Sequence, residues 1–571
     1  MAEVILGSVV QSLTERVLLF LSNEIRLIHG VEPDLEKLQS TLSVIHGVLQ
    51  DAEKRQVNDQ SLKNWLKRLQ DLAYEADDLL DDFNTEAIHP KSVVGGGKKL
   101  VSKVLHLFSS SNQFNMARRI RDLNEKLDVL IKDSERFNLT CIRENPSSMD
   151  LHRNRPLTVP CDYERYVVGR DDDKKRVMDF LLNPNFEEKL SILPIVGIGG
   201  MGKTTLARLV FKDERLKDHF QQKIWVCVST NFMVQDILRK ILQGCVEESK
   251  KGKIAGMEID ELHDNLRAEL GEKKFLLVLD DVWNENMSKG LELQNHLPHG
   301  AKGSKMLVTT RSSLVANTMA KKWQELSGLS EAESLTLLMK MVGKEEYEWK
   351  NRDLEAIAKG ILKKCGGVPL AIMTIGRLLS FRFTEGEWSD FLNEDFSRIE
   401  QEEGDIMPTL KISYDFLPSH LKQCFAYCCL FPKDYKLDPN ELVRLWMAQG
   451  FILKSSTTSK KTLHDVGKEY FKELVWRSFF QDIERDSLGN ITECKIHDLM
   501  HDLATIVAGD SCTTIINNNS LAKEVRHVSM VDTESCNLIE LVPRSRNPVA
   551  KGLEWGYLII EEAACTTSSF C

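Results

Sequence analysis

Apolar residues recur every three or four positions through residues 1–140. Leu6, Val10, Leu13, Val17 and Phe20 form the first series, with steps of 4, 3, 4 and 3. Leu35, Leu38, Leu42, Ile45 and Leu49 form a second, and Leu62, Leu66, Leu69, Ala73, Ala76, Leu80 and Phe83 a third. Met116, Ile120, Leu123, Leu127 and Leu130 form a fourth. A period of about 3.6 puts each series on one face of a helix. Pro33, the pair Asn58-Asp59 and the run Gly95-Gly96-Gly97 break the series. The pattern therefore predicts an N-terminal four-helix bundle with short apolar faces, rather than one long coiled coil.

The pattern then changes. Residues 141–165 hold Pro146, Pro156 and Pro160 with little periodicity and read as a linker. Over 166–325, short continuous apolar runs alternate with helical stretches such as Lys174–Leu182 and Val234–Leu242. The runs are Leu193–Val196, Lys223–Val228, Phe275–Leu279 and Met306–Thr310. Such runs predict strands buried on both faces, as in a parallel sheet covered by helices. Residues 326–400 turn helical again (Leu335–Met341, Leu354–Lys364, Leu370–Leu379) and predict a small helical domain. Over 401–510, helices at Leu421–Leu430, Asn440–Gln449 and Val466–Trp476 lead into strands at Phe479–Ile483 and Ile491–Ile496, which predicts a winged helix. Residues 511–571 offer one strand near Val525–Met530 and an otherwise irregular tail, without L-x-x-L-x-L spacing. The fold class is multidomain, α and α/β.

Composition narrows the partners. The 571 residues carry a net charge of −10, which gives no general support for nucleic-acid binding. Residues 400–500 hold no basic recognition stretch that would make the winged helix a transcription factor. Thirteen cysteines without a C-x-x-C pair predict reduced thiols in an intracellular setting. Glu3 stands where a secretory signal would be basic, and no apolar run reaches 18 residues, so a cytoplasmic protein is expected. Asp77, Asp78, Asp81 and Asp82 crowd the end of the third helix. They form either a solvated acidic face or a docking surface for a basic partner.

The chemistry centres on Gly197-Ile198-Gly199-Gly200-Met201-Gly202-Lys203-Thr204-Thr205, set between a strand and a helix start. This is the G-x-x-x-x-G-K-[ST] phosphate loop in the context it requires. Its glycines let successive N–H groups point at one anion, and the helix N-terminus adds its dipole. Lys203 can bridge the outer phosphates and Thr204 can offer a hydroxyl to Mg²⁺. Asp280 ends an apolar strand, as a Mg²⁺-holding carboxylate does, and Asp281 beside it is the candidate to orient a water for hydrolysis. Arg311 ends the next strand and is placed to sense a γ-phosphate. Ligands of such sheets lie at the carboxyl ends of the strands, where all these residues fall. His497-Asp498 begins a helix far downstream, and on its own reads as an ordinary polar helix start.

Taken in order, these motifs resemble plant intracellular immune receptors of the coiled-coil, nucleotide-binding, leucine-rich-repeat type, which are related to the animal apoptosome scaffold ATPases. The acidic stretch 77–81 is similar to the family's EDVID-type motif. GIGGMGKTT (197–205), LLVLDDVW (276–283), GSKMLVTTR (303–311), CGGVPLAI (365–372) and CFAYCCLFPKDY (424–435) follow in family order, and IHD (496–498) stands where MHD is usual. The resemblance implies ADP held between three domains at rest. Val168 and Gly169 would lie near the adenine, Pro369 near the base and His497 at the β-phosphate, with Gly197, Gly199, Gly200, Met201, Gly202, Lys203, Thr204, Thr205 and Arg311 around the phosphates. It also implies an ADP/ATP-operated switch with at most slow hydrolysis, answering a pathogen effector or a guarded host protein. The bundle would support self-association or pairing with full-length receptors, and plasma-membrane association on activation. The leucine-rich repeats themselves are not seen. A remodelling ATPase of the P-loop class is the alternative, although no second basic finger motif is evident.

Overall fold

The computed structural model describes residues 6–22, 32–56, 59–88, 110–139, 167–183, 189–228, 232–283, 287–343, 352–381, 384–396, 405–452, 461–515, 527–530, 548–553 and 557–562. The linker read at 141–165 lies outside these residues, as does the Gly95–Gly97 loop.

Helices α1 (Gly7–Ser22), α2 (Glu32–Arg55), α3 (Gln60–Ile88) and α4 (Ser110–Ser134) are the four that the apolar periodicity predicts. Their apolar stripes meet in one core that includes Leu13, Leu42, Leu66 and Leu127. Pro33 lies inside the first turn of α2, where its missing N–H costs nothing. The Asp59 carboxylate caps α3 by accepting from the Ser61 and Leu62 N–H groups at 2.9 and 3.1 Å. Part of the acidic stretch is used inside the bundle, because Asp77 pairs with Arg16 of α1.

Helix α5 (Asp171–Leu182) leads into a five-stranded sheet made of β1 (Leu190–Val196), β2 (Gln222–Cys227), β3 (Phe275–Asp280), β4 (Ser304–Thr310) and β5 (Gln324–Glu325). Its order is β2-β3-β4-β1-β5 and every pairing is parallel. Strands β3 and β4 are buried along their whole length, which explains the apolar runs Phe275–Leu279 and Met306–Val308. Helices α6 (Lys203–Phe211), α7 (Val234–Cys245), α8 (Ile259–Leu270), α9 (Met287–His296) and α10 (Ser313–Met319) connect the strands. Of these, α9 and α10 lack a strong sequence signal. Helix α8 is not among the elements read from the sequence, although Leu262, Leu266 and Leu270 recur on one face at steps of four. The two-residue β5 exists only through its register with Ile195 and Val196 of β1.

The helical unit comprises α11 (Glu331–Val342), α12 (Arg352–Cys365), α13 (Pro369–Leu379) and α14 (Glu385–Asp390). Helices α15 (Met407–Asp415), α16 (Ser419–Tyr427), α17 (Pro439–Ala448) and α18 (Leu463–Trp476) follow, then the hairpin β6 (Phe480–Arg485) and β7 (Ile491–Ile496), and α19 (Asp498–Ala508). Helices α16, α17 and α18 with the two-stranded wing are the winged helix expected from the sequence. One apolar core runs without interruption from Leu206 of α6 through Ile372 of α13 to Leu421 and Leu503, so these units share an interior.

The tail differs from the irregular segment expected. Strands β8 (Cys512–Ile515), β9 (His527–Met530), β10 (Pro548–Leu553) and β11 (Tyr557–Glu562) form a sheet of order β10-β11-β9-β8. Only β8 and β9 pair in parallel. A search for a leucine repeat passes over these strands because pairing between distant segments creates them, not a local period.

Candidate nucleotide-binding site

The glycine turn joins β1 to α6. Gly200 and Gly202 have φ of +74° and +92°, values that a side chain disfavours, so glycine is required at both. The Gly197 N–H donates to the Thr310 carbonyl at 3.3 Å, which ties the turn to β4. The side chain of Met201 is buried in the core while its carbonyl faces the neighbouring Arg170. Arg170 Nη2 donates to that carbonyl at 2.9 Å, and Nη1 reaches the Ser327 carbonyl at 3.0 Å and Asp173 Oδ2 at 3.1 Å. The short Val168-Gly169-Arg170 turn therefore clamps the loop from the side. Gly169, at φ +70°, lies against Glu333 of α11.

Lys203 Nζ donates to the carbonyls of Gly197 and Ile198 at 2.7 and 2.9 Å, so its ammonium curls over the loop. Burial, and then the nearby Arg311, push its pKa down to about 8. A bound phosphate would reverse that shift. Thr204 follows on the first turn of α6 and Thr205 is exposed beside it.

The Thr204 hydroxyl donates to Asp280 Oδ1 at 2.9 Å, and the Thr309 hydroxyl reaches the same oxygen. Asp280 is 5% exposed, and burial pushes its carboxyl pKa up despite both hydroxyls. A buried carboxylate facing a threonine hydroxyl and lacking full charge compensation fits a divalent cation.

Asp281 takes φ +58° immediately after β3, a left-handed conformation uncommon outside glycine. Its N–H is held by the Thr309 hydroxyl at 2.8 Å and its carboxylate accepts from Trp283 Nε1. Burial, and then the facing Asp498 carboxylate, push its pKa up.

Arg311 lies between these two acids. Its Nη2 donates to Asp498 Oδ2 at 2.8 Å, and its Nε stands 4.0 Å from Asp281 Oδ1. The guanidinium lies 4.2 Å from the centre of the Trp283 ring, and Lys433 of the winged helix lies 5.3 Å from the same ring.

The downstream residues reach the loop mainly through their neighbours. Pro369 opens α13, and the next residue, Leu370, donates its N–H to the Gly200 carbonyl at 3.3 Å. A Cβ on Gly200 would meet Leu370 Cβ at 2.8 Å. His497 caps α19, its Nδ1 accepting from the Leu499 N–H at 3.1 Å. Leu499 in turn seats on Gly199, where a Cβ would lie 2.7 Å from Leu499 Cδ1. Burial pushes the His497 pKa down to about 4, so the ring is neutral. With Nδ1 accepting, the proton of the neutral ring belongs on Nε2.

Sequence reasoning missed Trp283, Thr309, Lys433, Leu499 and the pair Arg208–Asp482. Arg208 offered one local signal, since it lies one turn after Thr204 on the same helix face. Asp482 offered none.

A parallel sheet with a phosphate loop, an acid-ended strand beside it and a docked winged helix defines a P-loop nucleotide-binding protein. Residues 170–348 match the family described as the NB-ARC domain, residues 9–127 the Rx N-terminal domain, and residues 430–504 the disease resistance protein winged helix domain. The chain is 40% identical over 534 residues to a protein named putative disease resistance protein RGA4 of Solanum bulbocastanum, covering 92% of this chain and 51% of that one. It is 37% identical over 526 residues to disease resistance protein RGA2 of the same plant, covering 91% and 51%. The chain belongs to this NB-ARC disease resistance family, and it spans about half the length of the curated relatives it matches. Among solved structures, a signal-transduction ATPase with a tetratricopeptide repeat sensor from Pyrococcus horikoshii is 14% identical with a TM-score of 0.36, covering 62% of this chain and 44% of that one. Among the described residues no helix is long and apolar enough to cross a membrane.

Proposed function

We propose that the chain is the switch portion of a plant immune receptor, held closed by ADP and opened by exchange for ATP. The observation that carries this reading is the meeting of three units on one loop. The β1–α6 turn supplies the loop, the N-terminus of α13 donates to Gly200, and the N-terminus of α19 seats on Gly199. A ligand bound there touches elements that can separate, so its identity can bias their separation. Driving such an equilibrium from 1:99 to 99:1 requires a differential affinity of about 5.5 kcal/mol.

In this reading the loop N–H groups and Lys203 hold the phosphates, while Thr204 and Asp280 hold Mg²⁺. His497 presents its Nε2–H toward the β-phosphate, Val168, Gly169 and Pro369 flank the base, and Arg311 senses a γ-phosphate. Asp281 is the candidate water-orienting residue, and its pairing with Asp498 and Trp283 fits slow hydrolysis in the closed form. A pathogen effector or guarded host protein would supply the opening signal. The bundle would then carry self-association or association with full-length receptors, at the cytoplasmic face of the plasma membrane when active. The lack of a second basic finger motif in the sequence favours this switch over a remodelling ATPase, which would need rapid turnover.

Calorimetry of ADP and ATP binding to the wild type and to Lys203→Arg tests the proposal. We expect micromolar or tighter ADP binding by the wild type and at least a tenfold loss in the variant. Equal affinities in the two proteins refute the site.

A further inference from the structure

The wing hairpin departs from regular pairing at two places, one between Gln481 and Glu484 and one between Glu484 and Arg485. Gln481 pairs with Lys495 and Glu484 with Glu493, and the register shifts between them. Asp482 lies in that irregularity with φ +53°. A bulge of this kind re-aims a side chain that regular alternation would send elsewhere. Here the re-aimed carboxylate meets Arg208 of α6, the helix that carries the phosphate loop's Lys203 and Thr204. Arg208 grips it with both terminal nitrogens, the Nη2 to Oδ2 bond measuring 2.8 Å. Two parallel bonds between a guanidinium and a carboxylate fix orientation as well as distance. The guanidinium is also packed 5.9 Å from the centre of the Trp225 ring, and Trp225 meets Phe211, the last residue of α6, edge to face at 5.5 Å.

The conformation of Asp482 is not isolated. Asp281, Asp434 and Asp482 all adopt positive φ. Each belongs to the boundary between the nucleotide domain and the winged helix. Asp281 faces Asp498, Asp434 accepts from Lys495 at 3.4 Å, and Lys495 also lies 3.8 Å from Cys227 Sγ at the end of β2. Backbone held in a sparsely populated region persists only where its surroundings impose it. The wing is therefore built toward the nucleotide domain, and its inner edge is already occupied.

We propose that Asp482 is a positioning residue of the switch: through Arg208 the wing holds the phosphate-loop helix, and the held helix slows release of a bound nucleoside diphosphate. This rests on the nucleotide-switch reading given above. The wing thus acts as a second contact between the winged helix and the phosphate-loop helix, distinct from the Leu499 contact at the glycine turn. The two contacts grip opposite parts of one element, since Leu499 touches the glycine turn and Asp482 holds the helix behind it. Arg208 also feels the field of Asp280.

The test uses the full chain, wild type and three variants: Asp482→Asn, Arg208→Gln and the double variant. Asparagine tolerates the left-handed conformation, so Asp482→Asn removes the charge and leaves the bulge in place. The measurement is the dissociation rate of a fluorescent ADP, with the urea unfolding midpoint recorded alongside. We expect about fivefold faster release from either single variant, and no further acceleration in the double variant, because the two side chains act as one unit. Unchanged release from Asp482→Asn while the wild type binds ADP overturns the positioning role alone. Additive acceleration in the double variant overturns the pairing. A faster release matched by an equal fall in global stability overturns it as well, in favour of simple loosening. A wild type that does not bind ADP overturns the switch reading together with this inference.

Discussion

At the residue scale, burial and partners give ordinary side chains unusual chemistry. His497 shows this most clearly. Its ordinary pKa is 6.5, and burial lowers it to about 4 in the folded chain. Between those values the unfolded chain takes up a proton that the folded chain refuses. The stability that the neutral ring contributes is therefore complete above pH 6.5 and is lost as pH falls toward 4. Going from pH 7 to pH 5 should cost about 2 kcal/mol from this group. His497→Asn keeps an N-capping side chain without the titration. Urea unfolding of both proteins across that range should show the wild type losing more stability, and parallel losses would mean that His497 is not the titrating group. The motif IHD was legible in the sequence, but the tautomer and the depressed pKa were not. They depend on the Leu499 N–H and on the packing around the ring.

At the scale of elements, the periodicities were informative because they arise within single segments. The bundle helices, strands β1 to β4 and helices α11 to α13 all lie where apolar spacing put them. What spacing could not reveal is how one element is fastened to another. Glu53 of α2 is 6% exposed, and its Oε1 accepts from the Leu6 and Gly7 N–H groups, each at 2.8 Å. The same carboxylate accepts from the Ser419 hydroxyl of α16 at 2.8 Å. One side chain therefore caps α1 and docks the bundle on the winged helix. Glu53→Ala leaves two helix N–H groups and a hydroxyl without their acceptor, at a cost of roughly 2–3 kcal/mol. Hydrogen exchange over residues 7–22 should accelerate strongly in Glu53→Ala and only slightly in Ser419→Ala, which removes one bond of the three. Equal protection in Glu53→Ala and wild type would show that apolar packing alone holds α1. Glu53 sits in a polar stretch, and nothing local distinguishes it from the charged residues around it.

At the scale of the whole molecule, the nucleotide domain and the winged helix are joined by charge across a shared apolar core. Arg311 meets Asp498, Arg208 meets Asp482, and Lys433 lies over Trp283. Removing one partner of such a partly buried pair leaves the other charge uncompensated. Asp498→Val should therefore lose ADP and adopt a larger hydrodynamic size or a higher oligomeric state, read by size-exclusion chromatography with light scattering and by analysis of the co-purifying nucleotide. Retained ADP at unchanged size would separate Asp498 from closure. The acidic stretch of α3 teaches a complementary lesson. Its carboxylates read as either a solvated face or a docking surface for a basic partner in this chain or in trans, and Asp77 is paired with Arg16 of α1.

The amino-acid sequence alone determined the phosphate loop, the acid-ended strand and the order of the units, because each is written in contiguous residues whose spacing reflects local geometry. It also placed His497 and Pro369 as candidates, through an ordered set of motifs. Only the tertiary structure decided that Leu370 and Leu499 seat on the glycine turn, that Asp281 faces Asp498, and that a bulge aims Asp482 at Arg208. Those contacts join residues up to 300 positions apart, such as Gly199 and Leu499. A pairing at that distance leaves no periodic trace in the chain, since it is set by the packing of complete elements against one another.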